Sequence, residues 1–407
     1  MRTTTLPPEL WAVILEFVVG NGIDKHEACT YLNFPYTSTR LRFSQNPLPE
    51  RWLRNLRLVC RAFQALLDPI LCFYFIMKDS KCIIPSSTRA ICIDDRDNEA
   101  CLRRLLSEPL KSHQIVMLDI DVYDTRNFSR TGLFDMLCNQ ASMLPNLRNL
   151  LLGFRNYYSR IPSCAPPQLW ARINDSFPLL NYLSTRGNVD MLRKEPMVTF
   201  KSLIMVDFDE IGYRTEVGLP ALRHAVVGRT FLRNFVIFNQ SHQLESLILR
   251  HIDRTVQEGF DWGLFRSLRL LGIPQGYVFT IPPPPSDHSL RHLHIYVNNG
   301  PPYRHAYFSA SSAVNHQLAS LTMTIERFPT VSRITLDFQG ETEEKRIMSK
   351  FDEQLLHPLG FYVNHEACGS GRYRTFVIDR IPVDPVPQSD TLTSWASLSR
   401  LASLLHL

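Results

Sequence analysis

The sequence predicts an α/β protein: a small N-terminal helical module over residues 1–72, an irregular repeat solenoid with a parallel sheet over 73–385, and a C-terminal capping helix or tail over 386–407. Three observations predict it. A Leu-x-x-Leu-x-Leu spacing recurs with substitutions from residue 115 onward, as in chains whose short strands stack side by side. Two apolar stretches before residue 70 read as helices, the first by its start and stop signals and the second by its helical periodicity. Hydrophobic residues make up 44% and charged residues 20% of the 407 positions, which fits a folded chain and excludes disordered, coiled-coil and collagen-like ones.

The first helix opens at Thr5 or Leu6, ahead of Pro7 and Pro8, which a first turn tolerates, and Glu9, which favours the positive helix end. Gly20-Asn21-Gly22 stops it. Leu10, Trp11, Val13, Ile14, Leu15, Phe17 and Val18 are apolar nearly all round, so this helix needs cover on more than one side. A second helix fits Glu50 to Asp68, with Trp52, Leu56, Val59, Phe63 and Leu66 on one stripe and Pro69 as its end. Between them lies a long polar insertion at about 19–49.

Leu6-Pro7-Pro8-Glu9-Leu10-Trp11-Ala12-Val13-Ile14-Leu15 and, later, Leu56-Arg57-Leu58-Val59-Cys60-Arg61-Ala62-Phe63, then Leu66 and Pro69, resemble an F-box. The resemblance implies docking on the Skp-type adaptor of a cullin-RING ubiquitin ligase through Leu6, Pro7, Leu10 and Ile14, with Val59, Cys60 and Phe63 packing the helical core. The insertion at about 19–49 departs from the family's short link and bears on that docking surface. The alternative is a helical hairpin that only caps the repeats.

The repeat triplets are Ile115-Leu118-Ile120, Leu147-Leu150-Leu152, Leu180-Leu183-Thr185, Phe200-Leu203-Met205, Leu222-Ala225-Val227, Leu244-Leu247-Leu249, Leu268-Leu271-Ile273, Leu290-Leu293-Ile295 and Val331-Ile334-Leu336. First positions at 200, 222, 244, 268 and 290 keep the roughly 20–29-residue period of leucine-rich repeats, which these triplets resemble. Each unit supplies one strand whose apolar side cannot be buried alone, so neighbours stack and both ends need covers. A strand at Arg89 to Asp94 serves the front. Phe231 to Asn239 forms a return limb, and Pro282 to Pro285 a rigid loop, since prolines donate no N–H and hold extended conformations. Phe361 to Asn364 and Arg374 to Asp379, joined through Gly369-Ser370-Gly371, read as a terminal hairpin. Asp390 to Leu407, with Leu392, Trp395, Leu398, Leu401 and Leu405 on one face, reads as a capping helix, with a partner-docking segment or a frayed terminus as alternatives.

Little in the chain points to catalysis. Gly is only 17 of 407 residues, against a usual share of about 7%, which leaves few loops for cradling phosphates. The nine cysteines contain no C-x-x-C pair and are read as reduced, mostly buried thiols. His288, His292 and His294 are the densest histidine group, but no nearby Cys completes a zinc set, so they are read as solvent-face residues and no metal is expected. Glu341 to Lys350 fits an exposed charged helix. No Ser/His/Asp, Cys/His or paired-carboxylate arrangement stands out, and neither an enzyme nor a cofactor is expected.

The net charge of +5 is scattered and does not call for nucleic acid. The apolar run Leu66 to Met77 is too short to span a bilayer, and the N-terminus lacks the apolar centre of a secretory signal, so an intracellular, cytoplasmic or nuclear protein is expected. On the exposed side of the strands Arg223, His224, Arg229, Arg250, His251, Arg269, Arg291, His292 and His294 are expected to form a basic concave face for an acidic or phosphorylated partner, with ordinary solvated charge, diluted by Asp207, Glu245 and Asp337, as the alternative. The functional expectation is a substrate-recruiting subunit of an SCF-type ubiquitin ligase, binding adaptor and cullin complex at one end and a protein target at the other. The alternative is a non-catalytic leucine-rich-repeat scaffold with no ligase connection.

Overall fold

A chain that repeats a strand every two or three dozen residues buries each strand's apolar side by laying the strands beside one another. The computed structural model, which describes residues 74–93, 98–123, 131–155, 168–189, 198–211, 217–229, 241–249, 260–274, 278–296, 323–339, 356–363 and 373–381, has this architecture. The helical module expected over 1–72 with its insertion, the limb at 231–239, the charged run at 341–350 and the helix expected over 386–407 lie outside the described residues.

In chain order the strands are β1 (Tyr74–Met77), β2 (Ala90–Ile93), β3 (Met117–Tyr123), β4 (Asn149–Arg155), β5 (Tyr182–Val189), β6 (Val198–Thr199), β7 (Met205–Ile211), β8 (Val217–Gly218), β9 (His224–Arg229), β10 (Ser246–Leu249), β11 (Leu270–Pro274), β12 (His292–Tyr296), β13 (Arg333–Gln339), β14 (Phe361–Val363) and β15 (Tyr373–Arg380). Thirteen form one sheet in the order β1-β2-β3-β4-β5-β7-β9-β10-β11-β12-β13-β15-β14, and β6 pairs with β8 separately. Every pairing from β1 to β13 is parallel. The terminal hairpin is present as expected: β14 and β15 pair antiparallel, and β15 pairs antiparallel with β13. Gly360, with φ of 76°, turns the chain into β14 in a left-handed conformation that suits a residue without a Cβ.

The connections scale with the length between strands. From Ile115 to Leu147 to Leu180 the spacing is 32 and 33 residues, and these longer connections hold helices α3 (Thr131–Asn139) and α4 (Leu169–Ser176); α1 (Asn98–Leu106) and α2 (Pro109–Ser112) precede them. Helix α1 follows from its sequence: Glu99 in the first turn and Arg103 and Arg104 in the last complement the helix dipole, and Cys101, Leu102, Leu105 and Leu106 form its buried stripe. After β9 the described parts of the return limbs include 3₁₀ turns at Ser241–Gln243 and Trp262–Phe265, the second capped by the Asp261 carboxylate accepting from the Gly263 N–H at 2.8 Å, and a short helix at 323–327 before β13.

The larger of two buried apolar clusters lies on one face of the sheet, between the strands and these limbs. Strand pairing puts Leu118, Leu150, Leu183, Val206, Ala225, Leu247, Leu271, Leu293 and Ile334 in one row, each no more than 1% exposed. Three residues earlier, Ile115, Leu147, Leu180, Leu203, Leu222, Leu244, Leu268, Leu290 and Val331 form a second buried row. Leu→Ala in either row costs about 2–5 kcal/mol, because the stacked neighbours cannot collapse onto the cavity.

One triplet requires correction. The unit read as Phe200-Leu203-Met205 is Leu203-Val206-Phe208, since Val206 pairs with Leu183 and Ala225 while Met205 pairs with Tyr182 and His224 on the other face. Phe200 is buried instead edge-on against Trp170, ring centroids 6.4 Å apart. A three-residue shift changes face, because side chains alternate along a strand.

Candidate functional site

The concave basic face expected from the sequence divides into two separate places. Arg223, Arg269 and Arg291 each sit one residue before a strand, not on its face. His224, His292 and His294 lie within strands β9 and β12, on the sheet face opposite the core. Arg229 ends β9, and Arg250 and His251 lie outside the described residues. The adaptor-binding residues Leu6, Pro7, Leu10 and Ile14 also lie outside them.

The second face is not the solvated surface expected. Ala90, Met117, Leu151, Tyr182, Met205, Val226, Ile248 and Leu270 form a buried apolar stripe along it. Strands with both faces buried read as nearly continuous apolar runs, and β10 (Ser-Leu-Ile-Leu) is one. Polar side chains share this face, with Asp119 in register beside Leu151, Ser184 and Asp207 between Leu151 and Val226, and His224 beside Ser246, and the apolar stripe ends at β12. His292 lies beside Arg333, Arg333 beside Asp379, and His294 beside Thr335.

The geometry of this polar group is close. His292 Nε2 lies 2.7 Å from Thr335 Oγ1, and the His292 and His294 rings are 6.4 Å apart. Arg333 donates to Asp379 through Nε at 2.6 Å and Nη2 at 2.9 Å, a two-pronged pair bridging the antiparallel strands β13 and β15. Burial, helped by His294 and the Arg333 cation, pushes His292 down to about 3. Three strands away His224 Nδ1 lies 2.8 Å from Ser246 Oγ, and burial pushes His224 down to about 4. These rings are therefore neutral near pH 7.

The reading of the three histidines as solvent-face residues is corrected as well: His294 is 3% and His288 7% exposed. His288 Nδ1 accepts from the Leu290 N–H at 3.1 Å, so Nε2 is the protonated nitrogen and donates to the Phe265 carbonyl at 3.0 Å. With the Trp262 ring edge-on at 4.8 Å, His288 is a structural tie between two successive limbs. Among the described residues no cluster of three His, Cys, Asp or Glu is arranged to hold a metal ion. Among the described residues Cys82, Cys92, Cys101 and Cys138 take part in no disulfide, and Cys92 and Cys101 are buried.

The arginines belong to a row along the leading edge of the sheet, where the strands begin. The row runs Arg89, Val116, Arg148, Asn181, Ile204, Arg223, Glu245, Arg269, Arg291, Ser332, and in each step one carbonyl accepts two N–H groups from the start of the next strand; Arg223 O, for example, accepts from Glu245 N at 2.7 Å and Ser246 N at 3.1 Å. Arg380 N then donates to Ser332 O at 2.8 Å and extends the row onto β15. Several guanidinium groups grip backbone carbonyls: Arg148 Nη1 that of Leu179 at 3.5 Å, Arg291 Nη1 those of His288 at 2.8 Å and Leu290 at 2.9 Å, and Arg380 Nη2 that of Pro329 at 2.9 Å. Arg223 instead holds the Glu245 carboxylate at 2.5 Å. Arg89, Arg148 and Arg380 were missed from sequence, although a signal exists: Leu-Arg recurs at the first two repeat positions, at 147–148, 222–223, 268–269 and 290–291.

Among the described residues no helix is long and apolar enough to cross a membrane. No protein-family model matches the chain, and no curated protein matches it. Among solved structures it is similar to a protein from Bacteroides fragilis, at 11% identity and a TM-score of 0.37, over 61% of this chain and 73% of that one, a likeness too slight to carry an argument about fold or function.

Proposed function

We propose that the chain is a substrate-recruiting subunit of a cullin-RING ubiquitin ligase of the SCF type. Residues 1–72 act as an F-box and bind a Skp-type adaptor through Leu6, Pro7, Leu10 and Ile14; the sheet, a leucine-rich-repeat solenoid, binds a protein target. The subunit catalyses nothing itself. Holding a target beside a ubiquitin-charged enzyme raises the effective concentration of its lysines, and that proximity is the mechanism. The reading places the protein inside the cell, in cytoplasm or nucleus.

The observation that carries the reading is the order of parts: Leu6 to Leu15 and Leu56 to Phe63, in F-box order, stand ahead of a sheet whose repeat residues lie in register from β3 to β13. Co-purification of the full chain with a Skp-type adaptor tests it, comparing wild type with the combined Leu6→Ala, Pro7→Ala and Leu10→Asp variant. Binding by wild type that is lost in the variant, with a cooperative circular-dichroism melt kept in both, is the expected result. Absence of wild-type binding leaves a repeat scaffold without a ligase connection.

A further inference from the structure

We infer that the leading edge of the sheet is a binding site for a short acidic peptide, which lies across the strand starts and is held by arginine side chains. The inference rests on the receptor reading only in taking the peptide to be part of a protein target. Six of the row's eleven positions are arginine, and Glu245 is its one acid. Arg223, Arg269, Arg291 and Arg380 are exposed. A single-file row of guanidinium groups, with its stems fixed by the strands, is the feature to explain.

Three properties select the ligand. Every carbonyl of the row from Arg89 to Ser332 already accepts hydrogen bonds from the next strand, so a partner cannot add there by backbone pairing and must be recognised by side chains. Arg148, Arg291 and Arg380 each spend one nitrogen on a carbonyl of a turn that leads into a strand, that of Leu179 before β5, of His288 before β12 and of Pro329 before β13, which orients the charged head and leaves its other N–H donors for a carboxylate or phosphate. Arg223 already holds a carboxylate, that of Glu245, on an arginine side chain 61% exposed. That internal pair is a template for the ligand and a competitor with it, and an exposed pair of this kind gives way at little cost.

Size narrows the class further. Neighbouring strands are about 4.8 Å apart, so Arg223 to Arg291 spans about 14 Å, the length of roughly four extended residues. A net charge of +5 over 407 residues supplies no broad field for a nucleic-acid duplex. A short acidic segment matches the row; whether its oxygens belong to Asp and Glu or to phosphoserine is a matter of source, because the guanidinium forks suit both.

Fluorescence anisotropy of the full chain with labelled peptides of about six residues tests this, using one rich in Glu, one carrying phosphoserines and one with Gln at the same positions. An acidic peptide binding about tenfold or more tightly than the Gln peptide is expected, and the tighter of the two acidic peptides identifies the group read. Arg269→Glu combined with Arg291→Glu is expected to abolish that preference, and Glu245→Gln to tighten binding several-fold by removing the competitor. Arg269→Gln and Arg291→Gln, with a melt like that of wild type, serve if charge reversal disturbs folding. Equal binding of Gln and acidic peptides, an unchanged preference in the arginine variants, or stronger competition from a single-stranded oligonucleotide of equal charge overturns the inference. No adaptor is present, so failure here and failure of adaptor binding are read separately.

Discussion

His292 and His224 carry the clearest pH dependence at the residue scale. Burial holds them down to about 3 and about 4, against 6.5 for a free imidazole. Below pH 6.5 the unfolded chain therefore binds more protons than the folded one; the stability contributed by these neutral rings is complete above 6.5 and is lost as pH falls toward the folded values. The slope is about 1.4 kcal/mol per pH unit for each ring. Urea midpoints measured at about pH 7.5 and about pH 5 are expected to fall on acidification, and His292→Gln to reduce the fall; equal midpoints would contradict the burial of these rings. Thr185 gives a second test. It occupies a core-row position between Leu152 and Phe208, and its buried Oγ1 has no hydrogen-bond partner among the described residues. Thr185→Val keeps the shape and removes the orphan hydroxyl, so the melting temperature is expected to rise, by an amount equivalent to about 1 kcal/mol.

Single elements show which parts of the fold were legible in the sequence. The rows through Leu247, Leu271 and Leu293 could be read because burial in a stacked sheet demands one apolar residue at a fixed place in every unit. Around β7 the demand is met twice, by Phe200-Leu203-Met205 and by Leu203-Val206-Phe208, and only strand pairing decides between them. Strand β1 is hidden because Tyr74–Met77 is uniformly apolar and Cys72, not a leucine, stands three residues before Phe75, which shares a row with Ile91 and Leu118. The second face departs from expectation for a related reason: the alternation of a strand puts positions between core residues on the side expected to be solvated, yet Met117, Leu151, Met205, Val226, Ile248 and Leu270 occupy them. The candidate site was half legible, since Leu-Arg dyads mark the leading edge while the Arg333–Asp379 and His292–Thr335 contacts join residues 46 and 43 positions apart. Two substitutions test the corrected elements. Leu203→Ala is expected to cost about 2–5 kcal/mol in urea denaturation, whereas the exposed Lys201→Ala changes stability by no more than about 0.5 kcal/mol. Gly360→Ala forces a Cβ into a left-handed turn and is expected to cost about 1 kcal/mol by the same measurement.

For the whole molecule, the repeats and the leading edge give the sheet two jobs that do not compete. The Leu, Ile and Val rows are spent on stacking, while the arginine row at the strand starts is the surface proposed for a partner. Binding at that row is electrostatic and exposed, so affinity for an acidic peptide is expected to fall steeply between about 50 and 300 mM salt; a salt-independent affinity would mean that another surface binds it. The receptor proposed above carries an adaptor at its N-terminal module and a target on its sheet at the same time. Size-exclusion chromatography with light scattering on a mixture of full chain, Skp-type adaptor and labelled acidic peptide tests this most directly. One species of the summed mass of chain and adaptor, carrying the peptide label, is the expected result. Adaptor that elutes apart from the labelled chain at every concentration tried would contradict it.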